Sequence, residues 1–167
     1  MNTDKKISRR EALKRMGFAV MSGAIASSGL LSLASCETKR SKRIIFYFTG
    51  TGNSLYIARQ LAGENAELLS IPQMVKRGKY EFEADEIGIV YPIYGHMPPY
   101  MVRQFIQKAK LKAEYKFAVL TYGARKCDAV EIWDRISRKA DNAFDYINTI
   151  IMVDNWLPNF DMNEQLK

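Results

Sequence analysis

From Arg43 onward, short runs that are apolar at almost every position alternate with segments whose apolar residues recur every three or four places. "RIIFYFTG" reads as a buried strand, and "NSLYIARQLAG" as a helix with Ile57, Ala58 and Leu61 on one side and Gly63 near its end. "AELLSIP" predicts a second, shorter strand, while Gln73 to Tyr80 is short and only weakly helical. "EIGIVYPIY" predicts a third strand. After two prolines, "YMVRQFIQKAK" carries Val102, Phe105, Ile106 and Ala109 at i, i+3, i+4, i+7 spacing. "YKFAVLTYG" predicts a fourth strand and "YINTIIMV" a fifth. Between them "CDAVEIWDRISRKA", opened by Cys127, predicts a helix with Ala129, Trp133, Ile136 and Ala140 on one stripe.

Strands that alternate with helices predict an α/β fold with an open parallel sheet covered on both faces. Ligands in such sheets sit at the carboxyl ends of the strands, where the strand order reverses. Three loops fall at strand carboxyl ends: "TGTGNS", "YPIYGHMPP" and "TYGARK". Their shared edge is the candidate site.

The residues before Arg43 read differently. Met1 to Gly17 is polar and basic, Phe18 to Ser35 is uncharged, apolar and serine-rich, and charge returns with "ETKRSKR". This is the layout of an export signal, and its serines make a weak payload for a permanent membrane span. "SRREALK" (Ser8 to Lys14) resembles the twin-arginine export signal, with Ala12 where that signal prefers phenylalanine. "LASC" (Leu33 to Cys36) resembles a bacterial lipobox, whose cysteine is acylated. The expected organisation is an export signal over 1–35, a lipidated Cys36, a tether over 36–42 and a globular domain over 43–167. Twin-arginine export implies a chain that crosses the membrane folded, a route taken by proteins that load a cofactor first. The tether, at about 3.3 Å per residue, reaches roughly 20 Å and keeps the domain against a bacterial membrane, on its non-cytoplasmic side.

Charge changes the picture little. Of the net +7, the first 35 residues hold six Lys/Arg against two acids, which leaves +3 for the rest. Basic residues there are scattered and form no stripe, so nucleic acid is not an expected partner. Cys127, with Cys36 lipidated, stands alone and reads as a small packed residue. No cysteine follows it, so no iron–sulfur cluster is expected.

The first loop carries the chemistry. Its glycines allow a tight turn, and the helix behind it offers unpaired N–H groups at the positive end of its dipole. Thr49, Thr51, Asn53 and Ser54 add neutral donors. The lysine of nucleoside-triphosphate loops is missing, so the loop suits one phosphate monoester and no phosphoryl transfer. The plain alternative is an ordinary strand-to-helix turn with Asn53 as N-cap.

"TGTGNS" resembles the flavodoxin phosphate loop, [ST]-x-T-G-N-[ST], at every defined position. "FYFTGTGNS" together with "YPIYGHMPP", "TYG" and "DNWLPNF" is similar to the flavodoxin half of bacterial flavodoxin–ferredoxin fusion proteins, from about Arg43 to Asp161. The resemblance implies a flavodoxin-like sheet of five strands in the order 2-1-3-4-5, and FMN as cofactor. It puts the phosphate on Thr49, Gly50, Thr51, Gly52, Asn53 and Ser54. The isoalloxazine falls between Pro92, Ile93, Tyr94 and Gly95 on one side and Thr121, Tyr122 and Gly123 on the other. Tyr94 falls where flavodoxins stack an aromatic on the ring, and Gly95 where a carbonyl meets the flavin N5–H. Tyr122 is a candidate for the opposite ring face. His96 reads as a solvent-facing loop residue, with a proton role near N5 as the alternative. Asp154, Asn155 and Trp156 look typical of the family.

Two further expectations concern what the fold and its partners need. Flavodoxins are commonly acidic and this domain is slightly basic, so their partners do not transfer. A helix after the fifth strand would cover the third to fifth strands, yet only 14 residues follow Val153. The sheet is therefore expected to lack its last helix, as a truncated family member or as a chain covered by another polypeptide. The functional expectation is an exported, lipid-anchored, FMN-binding electron carrier, with a redox partner in trans that could be ferredoxin-like. The alternatives are a flavin-dependent NAD(P)H reductase and a non-catalytic lipoprotein, or truncated remnant, acting as an interaction module.

Overall fold

The computed structural model describes residues 42–154. The export signal, Cys36, most of the tether and "NWLPNF" lie outside the described residues. No described helix is long and apolar enough to cross a membrane.

The elements in chain order are β1 (Arg43–Tyr47), α1 (Asn53–Ala62), β2 (Ala66–Ser70), α2 (Ile71–Arg77), β3 (Glu81–Glu83), β4 (Glu86–Pro92), α3 (Tyr100–Lys108), β5 (Lys110–Lys112), β6 (Tyr115–Tyr122), α4 (Ala129–Lys139) and β7 (Tyr146–Ile151). Five strands form one sheet in the order β2-β1-β4-β6-β7, and every pair is parallel. The order is the expected 2-1-3-4-5 once the two short strands, β3 and β5, are set aside as a separate parallel pair.

Right-handed crossovers place helices on both faces. On one face α2, α3 and α4 bury Met74, Phe105 and Trp133 against Phe46, Ile89, Tyr91 and Leu120. On the other, α1 brings Ala58 and Ala62 against Ile45, Val90, Phe117 and Val119. The second cluster is the smaller because α1 is the only described helix on that face. Strand β7 is incompletely covered among the described residues: Tyr146, Asn148 and Ile151 are exposed, and the other three residues are half-buried.

Two helix starts differ from those the pattern predicts, and two short strands are added to it. Ile71 and Pro72 open α2 instead of ending the second strand, because proline is pre-set for the first turn of a helix. Ile71 and Met74 of that helix are buried, so tertiary packing stabilises a segment whose own helical signal is weak. Helix α4 begins at Ala129, two residues after Cys127, which sits at φ 45° in the preceding turn and is exposed. Strands β3 and β5 have only three residues each. Phe82 and Leu111 point into the core while Glu81, Glu83, Lys110 and Lys112 face out.

Asn142 ties the end of α4 to this small pair. It is 1% exposed, and its Nδ2 donates among the carbonyls of Ala109 (2.8 Å), Ala140 (2.8 Å) and Ile106 (3.2 Å). Its Oδ1 accepts from the Leu111 N–H at 3.2 Å. Tyr91 presents the opposite case. Its ring packs on Trp133 at 4.9 Å, and its buried hydroxyl has no hydrogen-bond partner among the described residues. Burial pushes that hydroxyl well above the ordinary tyrosine pKa.

Removing the Asn142 amide strands a buried N–H and several carbonyls. Asn142→Ala is therefore expected to cost about 2–4 kcal/mol, read as a lower urea midpoint at unchanged slope. Tyr91→Phe deletes an unpaired buried hydroxyl and is expected to leave the midpoint unchanged or raise it by about 1 kcal/mol. A loss of more than 1 kcal/mol in the second variant would reveal a partner for the hydroxyl.

Candidate functional site

The parallel register sets the loops side by side. Beyond the strands the ladder continues: Phe48 N donates to Val90 O (2.9 Å), Ile93 N to Thr121 O (2.8 Å) and Met152 N to Tyr122 O (2.7 Å). The chain segments leaving β1, β4, β6 and β7 are thus fixed to one another before they diverge.

The first loop folds on itself. Thr49 Oγ1 accepts from the Gly52 N–H at 2.9 Å, and Gly52 takes the left-handed conformation at φ 105°, which glycine adopts without a side-chain clash. Asn53 is the first residue of α1, not its cap, and no side chain caps the helix. The first-turn N–H groups therefore face the loop as donors for an external acceptor. Asn53 Nδ2 instead donates to the Val153 carbonyl at 2.8 Å, across one hundred positions of sequence. Ser54, 1% exposed, shares a 2.8 Å hydrogen bond between its Oγ and Oγ1 of Thr121, also 1% exposed. These two hydroxyls brace the first loop against β6 from behind.

The second loop turns on itself between Tyr94 and Met97, which exchange two hydrogen bonds of 3.0 and 3.1 Å. Gly95 and His96 at its tip have φ of 53° and 70°, as a type I′ turn requires. Tyr94 is half exposed, its ring meets Phe48 edge-on at 6.5 Å, and its hydroxyl reaches the first loop. A Cβ on Gly50 would stand 2.6 Å from that hydroxyl. His96 is exposed, and its Nδ1 lies 3.4 Å from Oδ1 of Asp128, linking the second loop to the start of α4.

Together these segments enclose a cleft of about 220 Å³. Thr49, Gly50, Thr51, Asn53 and Ser54 line one part, Pro92, Ile93 and Tyr94 a second, and Thr121, Tyr122 and Gly123 a third. Gly52 and Gly95 shape their turns without lining it. Met152, Val153 and Asp154 complete the wall. The apolar run of the last strand had hidden the first two of these residues, since nothing in their spacing marks a ligand contact. Asp154 follows that run, and nothing in its spacing assigns it a role. In the structure its side chain fills the space a Cβ of Gly123 would occupy, so a larger residue at that position has to displace it.

Asp154 is the only charged side chain among the described residues of the wall. An anionic ligand therefore depends on neutral donors and the start of α1. The cleft is smaller than the roughly 300 Å³ or more that encloses a whole drug-sized ligand. It suits a phosphate and a short polar chain, with any attached ring system at its open mouth beside Tyr94.

No family model matches the sequence, and no curated protein matches it. Among solved structures, the fold is similar to that of two-electron reduced flavodoxin from Megasphaera elsdenii, with a TM-score of 0.50 and 16% identity over 68% of this chain and 88% of that one. A flavoprotein from Lactobacillus acidophilus NCFM, solved in complex with FMN, aligns at 12% identity over 65% of this chain and 93% of that one, with a TM-score of 0.48. The fold is flavodoxin-like, an α/β structure with a parallel five-stranded sheet.

Proposed function

We propose that the protein binds FMN in this cleft and carries electrons as an exported, lipid-anchored flavodoxin-like protein. The observation that carries the reading is the first loop: an uncapped helix start and neutral donors facing a cleft built by four strand ends. At 16% identity the likeness to a flavodoxin speaks to the fold alone. The cofactor reading rests on this chain's own residues.

Those residues fit the group. Thr49, Thr51 and the N–H groups at the start of α1 would hold its phosphate, with Ser54 and Thr121 keeping the loop in place. Tyr94, half exposed at the mouth, offers an aromatic face, and Tyr122 stands in the wall formed by β6. FMN would supply reversible one- and two-electron transfer. Asp154 places a negative charge in the wall and so favours the oxidised, less negative state of a bound redox group. The expected acylation of Cys36 would keep the domain at a membrane, with the electron partner supplied in trans.

Adding FMN to the purified protein is expected to quench flavin fluorescence saturably, and riboflavin, which lacks the phosphate, to bind more weakly. Equal affinity for the two would remove the phosphate loop from the argument, and no binding by a folded protein would overturn the reading. Gly123→Val must displace Asp154, an overpacking worth about 1–3 kcal/mol. It is expected to weaken FMN binding by about tenfold while the fold persists by circular dichroism. Asp154→Asn is expected to raise the reduction potential of the bound flavin, measured by anaerobic dye-coupled titration. In the same anaerobic cell, addition of NAD(P)H leaves the flavin of a carrier oxidised; direct bleaching assigns a reductase instead.

A further inference from the structure

The edge of the sheet opposite the cleft carries a charge pattern that the binding site does not use. Helices α2 and α3 both run back toward the amino ends of the strands. Their last turns, and the small β3–β5 pair beyond them, gather Lys76, Arg77, Lys79, Lys108, Lys110 and Lys112, all exposed. Glu81, Glu83, Asp85 and Glu114 are the acids beside them, fewer than the bases, and Glu81 is bound to Lys110 at 2.7 Å. The ammonium groups are placed, not merely nearby: Lys79 Nζ lies over the Phe82 ring at 5.2 Å and Lys108 Nζ over the Tyr80 ring at 5.6 Å. The loops at the cleft edge are balanced by comparison, with Arg125 and Lys126 against Asp128 and Asp154.

The chain enters the domain beside this patch. The Lys42 backbone N–H donates to Oδ2 of Asp85 at 2.6 Å, and its carbonyl accepts from the N–H of Asp85 at 2.9 Å. Ala84 N donates to Lys112 O at 3.1 Å, which fixes the end of β3 against β5. One open groove runs from Lys42 through Glu83, Ala84 and Asp85 to Lys112 and Glu114. Cys36 precedes Lys42 by six residues, a reach of roughly 20 Å when extended.

We propose that this basic amino-end surface is a docking face for an anionic phospholipid bilayer. The proposal rests on the lipid-anchored reading, since the anchor would hold the patch within reach of the headgroups. Lysine and arginine near an anionic leaflet are attracted electrostatically, and the attraction fades within a Debye length of about 8–10 Å. Docking on this edge turns the cleft away from the membrane. Strands of five to eight residues separate the two edges by roughly 20 Å at about 3.3 Å per residue. The electron partner is then one that approaches from the aqueous side.

The test sediments the full chain with vesicles of phosphatidylcholine alone or with phosphatidylglycerol added, at low and high salt. The variant Lys76→Gln/Arg77→Gln/Lys79→Gln/Lys108→Gln is expected to lose at least about tenfold of the phosphatidylglycerol-dependent binding. Its binding to phosphatidylcholine and its urea midpoint should stay unchanged. Arg125→Gln/Lys126→Gln, at the opposite edge, should bind as the parent does. Equal phosphatidylglycerol dependence in parent and quadruple variant overturns the proposal, as does a loss of equal size in the Arg125/Lys126 pair. The anchored reading fails separately, if Cys36→Ser leaves the protein in the membrane fraction of cells unchanged.

Discussion

Because β1, β4, β6 and β7 run parallel and in register, every segment that leaves them emerges at one edge, already joined to its neighbours by backbone hydrogen bonds. The cleft is a consequence of that geometry. Residues that are distant in sequence become adjacent without long-range side-chain contacts having to bring them together, because the sheet has done so. The few side-chain bonds that cross the site then have a narrower task, which is to fix loop conformation. Asn53 reaching Val153 and Ser54 reaching Thr121 serve this purpose, and both run from the first turn of α1 to the walls of other strands.

This division of labour explains why the first loop contains so many short polar residues. Thr49 satisfies the Gly52 N–H, Ser54 is buried against Thr121, and Asn53 faces the end of β7. Much of the loop's hydrogen-bonding capacity is spent inward, on holding a shape in which the helix start is left open. A side chain capping α1 would satisfy the same N–H groups locally and close the site. The absence of that cap is therefore as informative as the glycines.

The pattern of apolar residues was enough to find the five main strands and three of the four described helices, because each buries a whole face or stripe. It was insufficient where structure depends on partners. Helix α2 is set by proline and by two buried residues, Ile71 and Met74, and its exposed half looks like a loop. Strands β3 and β5 are too short to show alternation, and each exists because the other pairs with it and Asn142 caps the Leu111 N–H. The three candidate loops were legible from their glycines and from their place after strands. Met152, Val153 and Asp154 were not, since their contribution comes from where β7 ends relative to Gly123, a fact of register and not of residue type. The reading of Asn53 as a possible cap failed for a similar reason: the carbonyl it binds is one hundred positions away.

The same parallel geometry that collects the loops also separates two kinds of charge. Helices that follow strands must return to the amino edge, so their carboxyl ends gather there, and basic residues are favoured in last helical turns by the negative end of the dipole. Lys76 and Arg77 in α2 and Lys108 in α3 occupy such positions. The helix starts, with their positive ends, gather at the cleft. A doubly wound sheet thus tends toward an anion-accepting edge made of backbone N–H groups and a cation-bearing edge made of side chains. In this chain the described wall of the cleft at the first edge holds one charged side chain, Asp154, among neutral donors. The second is enriched in lysine and arginine beside the point where the chain enters. The helix-start donors of one edge and the basic side chains of the other thus occupy separate surfaces of the sheet.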